Sequence, residues 1–241
     1  MIELSDRLEK IIELIPEGKV VVDVGTDHGY IPIKLLQRGL APTAIATDIN
    51  KGPFQIARKQ VQEYLLNDKI DVRLGNGLKP IQAGEAQVAI IAGMGGVTIV
   101  DILEDAPHVV RELETLVLQP MTAVDAVRRW LYKSKWDLSN EDIVKEGNKY
   151  YHIIVATKAN TYEWPEVLNK EYFEFGPKLI EQGNPLVIEQ IELKIQQFLE
   201  VQQRLGKLEL SESVKNRLKE VEEEISNLKE MKNRCLQNAS K

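Results

Sequence analysis

The sequence predicts an α/β protein with a mostly parallel seven-stranded sheet, followed by a C-terminal α-helical hairpin of coiled-coil character. Three observations carry this. Between Lys19 and Lys158, short runs rich in β-branched residues alternate with helical segments. Such runs are apolar throughout, as expected of parallel strands covered by helices on both faces. The last two runs are separated only by Lys145-Glu146-Gly147-Asn148-Lys149. That is hairpin spacing, so the sheet should end in an antiparallel pair. Past about Ala159 the composition shifts to Glu, Lys, Gln and Leu, and apolar residues recur with heptad-like spacing.

Taken in order, Leu4, Leu8, Ile11, Ile12 and Ile15 mark an amphipathic helix, stopped by Pro16 and Gly18. The strand runs are Val20–Val24, Thr43–Thr47, Ile70–Leu74, Val88–Ala92, Leu116–Leu118, Trp136–Val144 and Tyr150–Thr157. Helices are expected near Ile31–Arg38, Phe54–Leu66, Thr98–Leu103 and Val124–Tyr132. In the last part, Ile188, Ile191, Ile195, Phe198 and Leu205 form one seam. Val214, Leu218, Val221, Ile225, Leu228 and Cys235 form a second. Gly206 and Ser211–Ser213 lie between them, with Ser211 or Ser213 the expected N-cap of the second helix. Two seams joined by a short polar link read as an antiparallel hairpin within one chain, in preference to a dimer through the same stripes. The division expected is residues 1–160 for the α/β domain and 161–241 for the helical domain.

Composition narrows the classes. The chain is 43% hydrophobic and 28% charged, like ordinary globular proteins. No apolar run approaches the roughly 18 residues of a membrane span. The first residues carry acids at helical period, unlike a secretory signal. Cys235 is the single cysteine, so no intramolecular disulfide forms, which suits a reducing, cytoplasmic compartment. With only three histidines and no pair at ligand spacing, no metal site is expected. A net charge of −6 argues against non-specific coating of nucleic acid, yet leaves room for a local basic patch.

The chemistry concentrates at the carboxyl ends of the first four strands. The first ends in Asp23-Val24-Gly25-Thr26-Asp27-His28-Gly29, ahead of a helix with Pro32 in its first turn. Gly25 and Gly29 let backbone approach a ligand in front of a helix N-terminus. A dinucleotide loop would read G-x-G-x-x-G with bare amides for a pyrophosphate. Here the added Asp27 disfavours that anion and suits a cationic sulfonium and amino group. Asp48, followed by Ile49, stands 23 positions after Gly25 at the tip of the second strand. An acid there binds ribose hydroxyls in such folds, the alternative being a cap for the next helix. Asn76 and Gly77 end the third strand, where Asn76 could read an adenine edge or merely form a turn. Gly93, Met94, Gly95 and Gly96 end the fourth, stripping side chains from one spot. Open α/β sheets bind ligands at these ends.

The run Gly25-Thr26-Asp27-His28-Gly29-Tyr30-Ile31-Pro32, with Leu4-Ser5-Asp6-Arg7-Leu8 before it, resembles the bacterial tRNA adenine-N1 methyltransferases that modify adenosine 22, the TrmK family. Thr47-Asp48-Ile49-Asn50, Gly75-Asn76-Gly77-Leu78, Ala92-Gly93-Met94-Gly95-Gly96 and Leu118-Gln119-Pro120 match it in order. One departure is Asn76, where family members often carry Asp. The resemblance spans the chain and implies a class I, Rossmann-like methyltransferase domain, a helical C-terminal domain, S-adenosyl-L-methionine as cofactor and tRNA as partner. It implies cofactor contacts for Arg7, Asp23, Gly25, Thr26, Gly29, Asp48, Ile49, Asn76, Gly77, Gly93, Met94 and Gly95, with Arg7 reaching the cofactor carboxylate.

Adenine N1 already carries an in-plane lone pair, so catalysis should rest on alignment and on negative potential near the base. Asp27 is the leading candidate for that potential, the alternative being the cofactor amino group. His28 would orient the base or Asp27, or simply close the turn. Tyr30 would stack on a base or pack on its helix. N1 lies on the pairing edge, so the target must be unpaired or pulled from its stack. Phosphate contacts would come from Arg128, Arg129, Lys133, Lys135, Lys145 and Lys149, and from Lys194, Arg204, Lys207, Lys215, Arg217 and Lys219 in the helical part. The fourth-strand loop lacks the Asn/Asp-Pro-Pro-Phe/Tyr pattern of exocyclic-amine methylation, and no cysteine there supports cytosine C5 attack. The cofactor motifs are equally compatible with another RNA, a protein or a metabolite as acceptor, or with a non-catalytic binding module.

Overall fold

The computed structural model describes residues 2–158, 164, 169–208 and 211–240, and the chain divides into two units, Met1–Trp164 and Pro165–Lys241. The first opens with α1 (Asp6–Glu13), β1 (Val21–Val24), α2 (Tyr30–Gln37), β2 (Ala44–Asp48), α3 (Lys51–Glu63) and β3 (Ile70–Leu74). It continues with β4 (Val88–Gly95), α4 (Gly96–Glu104), α5 (Pro107–Val110), β5 (Thr115–Thr122) and α6 (Val124–Lys133). It closes with β6 (Asp137–Glu146) and β7 (Lys149–Thr157). The boundary expected at residue 160 falls outside the described residues. Trp164 belongs to the first unit, where its indole donates to the Trp136 carbonyl at 3.2 Å and stacks edge-on against Tyr132.

The seven strands form one sheet in the order β3-β2-β1-β4-β5-β7-β6. The first five strands are parallel, and β7 runs antiparallel to both β5 and β6. β1 and β2 are buried along their whole length, which is why they read as apolar runs broken only by Asp23 in the first and by Thr47 and Asp48 at the end of the second. The edge strand β3 is partly exposed and carries Asp71 and Arg73. The β6–β7 connection is tighter than the five residues expected. The strands run to Glu146 and from Lys149, leaving Gly147-Asn148 as the turn. Gly147 sits at φ +60°, the conformation a two-residue hairpin requires of its first central residue.

Strand alternation assigns residues to two cores. Val22 and Val24 pack with Ile99, Leu103, Val127 and Leu131 of α4 and α6. Val21 packs on the other face with Ile11, Ile12, Ile31 and Leu35 of α1 and α2. Each fully buried Ile or Leu contributes up to about 1.5–3 kcal/mol, so Ile11 and Ile12 anchor α1 firmly to the sheet. That anchoring holds Arg7, in the first turn of the helix, above the strand ends.

Arg128 requires a correction. Expected among the phosphate-contacting cations, it is fully buried on the inner face of α6. Its Nε donates to Glu141 Oε1 at 2.6 Å, and Nη2 lies 3.0 Å from His152 Nδ1. A charge so enclosed is structural, tying α6 to β6 and β7.

The second unit contains α7 (Lys170–Phe175), α8 (Pro177–Glu181), α9 (Pro185–Leu205) and α10 (Glu212–Ala239). Ser211 caps α10 by accepting from the Val214 amide at 3.4 Å, and Asn184 caps α9 ahead of Pro185. α9 buries Val187, Ile191 and Ile195, while α10 buries Val221, Ile225, Leu228, Met231 and Cys235. Met231 fills the gap that the spacing left between Leu228 and Cys235. The short helices α7 and α8 went unread in the sequence. They bury Tyr172, Phe173, Phe175, Leu179 and Ile180, and Asn238 Nδ2 of α10 donates to the Ile180 carbonyl at 3.0 Å. Among the described residues, no helix is long and apolar enough to cross a membrane.

Candidate functional site

In an open parallel sheet the ligand crevice forms where connections leave adjacent strands in opposite directions. Here that point lies between β1 and β4, and two cavities open beside it. One, of about 360 Å³, is lined by Arg7, Asp23, Gly25, Thr26, Asp27, His28, Tyr30 and Gly93, among others. The other, of about 410 Å³, is lined by Gly25, Asp48, Ile49, Asn76, Gly77 and Met94, with Thr98, Ile102 and others. They share Gly25, so together they make one trough across the strand ends, of ordinary ligand-pocket size.

The β1 loop is tied down from below. Gly25 N and Thr26 N both donate to the Thr47 carbonyl, at 2.8 and 2.9 Å. Thr26 Oγ1 donates to Asp23 Oδ2 at 2.6 Å. Gly25 sits at φ +72°, and a Cβ there would lie 2.1 Å from Met94 Cε, so the loop and the β4 tip meet through a missing side chain. Gly29, in left-handed conformation, caps α2. Gly95 precedes α4, where a Cβ would press on Thr122 Oγ1 at 3.3 Å. These two glycines shape the backbone; neither is among the residues lining these two cavities.

Three carboxylates differ in surroundings. Asp23 is buried, and burial pushes its pKa up to about 6, with the Asp48 charge adding and the Thr26 hydroxyl opposing. Asp48 is also buried, accepting from the Asn50 amide at 2.8 Å and the Asp27 amide at 3.3 Å. It does not cap α3, whose N-cap is Asn50. Asp27 has a side chain 66% exposed, at φ +55°, paired with His28 Nδ1 at 2.7 Å. The His28 ring lies 5.1 Å from that of Tyr30.

Arg7 overhangs the trough. Its Nη1 donates to Gln119 Oε1 at 2.5 Å, and its guanidinium lies 5.3 Å from the Tyr151 ring centre. Gln119 and Tyr151 were missed in the sequence reading. Gln119 stood within a quoted motif, but only a fully buried amide at a strand end marks it as more than a turn residue. No group of three or more His, Cys, Asp or Glu among the described residues is placed to hold a metal ion.

The donor set suits one kind of molecule. An arginine and a buried acid at one end match a zwitterionic amino-acid group, and a buried acid at the other matches a ribose diol. S-adenosyl-L-methionine carries both, and neither cavity lining includes a lysine that would repel its sulfonium. The sheet order, the antiparallel β7 and this trough define a Rossmann-like, S-adenosylmethionine-dependent methyltransferase. The chain belongs to the TrmK family, tRNA (adenine(22)-N(1))-methyltransferase, whose family model matches residues 21–230. A Bacillus subtilis tRNA (adenine(22)-N(1))-methyltransferase is 34% identical over 231 residues, covering 95% of this chain and 97% of the relative. The crystal structure of B. subtilis TrmK superposes with a TM-score of 0.84 at 34% identity, covering 96% of this chain and 99% of that one. M. capricolum TrmK, solved in complex with S-adenosyl-homocysteine, gives 0.81 at 27% identity, with 96% and 99% covered.

Proposed function

We propose that this protein transfers a methyl group from S-adenosylmethionine to N1 of adenosine 22 in tRNA, acting in the cytoplasm as a single chain. The observation that carries this is the trough itself, with Arg7 and Asp23 at one end, Asp48 at the other and Gly25 between them. Full-length similarity to the B. subtilis enzyme supports the acceptor.

The cofactor supplies an electrophilic methyl on a cationic sulfur, and transfer breaks that S–C bond while N1 forms the new one. Arg7 binds the carboxylate and Asp23 the ammonium. Asp48 accepts from the ribose hydroxyls. Ile49 and Asn76 flank the adenine, while Thr26, Gly77, Gly93 and Met94 close the walls. The difference in exposure separates the acids. Asp23 lies on the floor, where only the cofactor arrives; Asp27 stands at the mouth, where a base arrives. Positive charge moves from sulfur to the adenine ring, so a carboxylate at that mouth stabilises the transition state more than the ground state. His28 holds Asp27 in place, and Tyr30 backs His28 and offers a face for the base. The unit Pro165–Lys241 serves as a tRNA-positioning arm, its exposed Lys207 and Lys215 among the candidate phosphate contacts.

Purified protein incubated with labelled S-adenosylmethionine and unmodified tRNA transcripts tests the reading. Label at N1 of adenosine 22, lost in Asp27→Ala while cofactor still binds, is the expected result. Cofactor binding without transfer to any tRNA would overturn the acceptor assignment. Light scattering of the same preparation should give the mass of one chain.

A further inference from the structure

We propose that Gln119 is a positioning residue that aims the Arg7 charge into the trough for a carboxylate, and that it must be neutral to do so. The proposal rests on the reading of the trough as a cofactor site. It begins with how Arg7 is held. Its backbone N–H donates to Glu146 Oε1 at 3.0 Å, which fixes the start of α1 to the β6–β7 hairpin. Its guanidinium meets Gln119 Oε1 and the face of Tyr151. Both are uncharged. Among the described residues no carboxylate lies within ion-pair distance of this guanidinium, in a protein where Arg38, Arg73, Arg128 and Arg217 all have one. The charge is oriented without being cancelled.

The Gln119 amide can be arranged in one way only. Oε1 accepts from Arg7 Nη1 at 2.5 Å and from the Gly93 amide at 3.2 Å, using both lone pairs. Nε2 donates to the Pro120 carbonyl at 2.9 Å and lies 3.7 Å from Met121 Sδ. A flipped amide would set NH2 against two donors, so the network dictates the orientation. Gln119 is fully buried. Its oxygen therefore joins α1, the β4 tip and the β5 tip at one fixed point. Gly93 sits at φ +76°, and a Cβ there would lie 3.9 Å from Arg7 Nη1, so the guanidinium rests directly over bare backbone. Glutamate would make the same two acceptor bonds. It would also form a buried ion pair with Arg7 and remove the charge on which an incoming carboxylate depends.

The test compares S-adenosylmethionine with its decarboxylated analogue, which differs by the carboxylate alone, by calorimetric titration near pH 7.5. Wild type should prefer the carboxylated ligand by about tenfold or more, as a charge-assisted hydrogen bond implies. Gln119→Glu and Gln119→Leu should each shrink that preference to within about threefold, while binding the decarboxylated ligand no more weakly than wild type. Gln119→Glu keeps the shape and both acceptor bonds but turns its second oxygen on the Pro120 carbonyl, so undiminished binding of the decarboxylated ligand is what separates a cancelled charge from a distorted site. Arg7→Met should abolish the preference, and adding Gln119→Leu to it should change nothing further. A wild-type preference retained in Gln119→Glu overturns the proposal and leaves the cofactor site standing, as does equal wild-type affinity for the two ligands. Wild-type binding of neither ligand overturns the site and the proposal together.

Discussion

Replacing Asp23 by Asn should make the protein more stable and worse at binding its cofactor, with a pH dependence that identifies the cause. The carboxyl is buried, and its pKa rises from 3.8 to about 6 in the folded chain, chiefly through burial. Below 3.8 it is protonated both folded and unfolded, and costs nothing. Through the window from 3.8 to about 6 the folded state holds the proton more tightly, so stability falls as pH rises, by about 1.4 kcal/mol per pH unit. Above that window the loss is complete, at about 3 kcal/mol. Asn carries no charge to desolvate and still accepts from Thr26 Oγ1, the partner of Asp23 at 2.6 Å. Asp23→Asn should therefore gain about 3 kcal/mol at pH 8 and about half that at pH 5. In a chain of this size each kcal/mol moves the melting temperature by about 2–4 °C. Thermal denaturation of the ligand-free protein should show the variant about 6–12 °C higher at pH 8, and about 3–6 °C higher at pH 5. Cofactor affinity, measured by titration at pH 8, should fall by ten- to a hundredfold, because a charged hydrogen bond of roughly 1.5–3 kcal/mol to the ammonium is lost. A variant no more stable than wild type at pH 8, or a gain identical at both pH values, would refute this account of Asp23.

Gly25→Ala should cost about 1–2 kcal/mol for a side chain at φ +72° and push the Met94 methyl toward the trough; cofactor titration should show severe loss while the protein remains folded. Arg128→Leu should destabilise by about 3–5 kcal/mol, since it leaves Glu141 buried without its partner at 2.6 Å. Urea denaturation checks the size, and Arg129→Ala, at an exposed pair on the same helix, should cost under about 1 kcal/mol. Ser211→Ala should lower the stability of α10 by about 0.5–1 kcal/mol, read as faster amide exchange at Val214.

Local pattern determined a great deal here. Largely apolar runs marked β1, β2, β4 and β5 because a buried parallel strand has no face to leave polar, and heptad seams marked α9 and α10 because a helix repeats its buried stripe. The glycine turn after β1, the acid ending β2 and Gly93 near the end of β4 line the trough and were legible as candidates for a similar reason. Close backbone approach and ribose binding demand particular residue types at strand ends, and each demand is met within a few residues of chain. What the sequence left open depended on distance in the chain. Arg128 reads like its neighbour Arg129, and only the packing of α6 on β6 and β7 decides that one is enclosed with Glu141 and the other only half-buried. Helices α7 and α8 are too short to show a period. Asp48 had a cap of α3 as its alternative reading, and Asn50 takes that position. The support of Arg7 is the clearest case, because its partners Gln119 and Glu146 lie 112 and 139 residues away. No repeat or spacing links such positions. They meet because β4, β5 and the terminal hairpin stand side by side, and hydrophobic burial of α1 against that sheet sets the guanidinium over the trough.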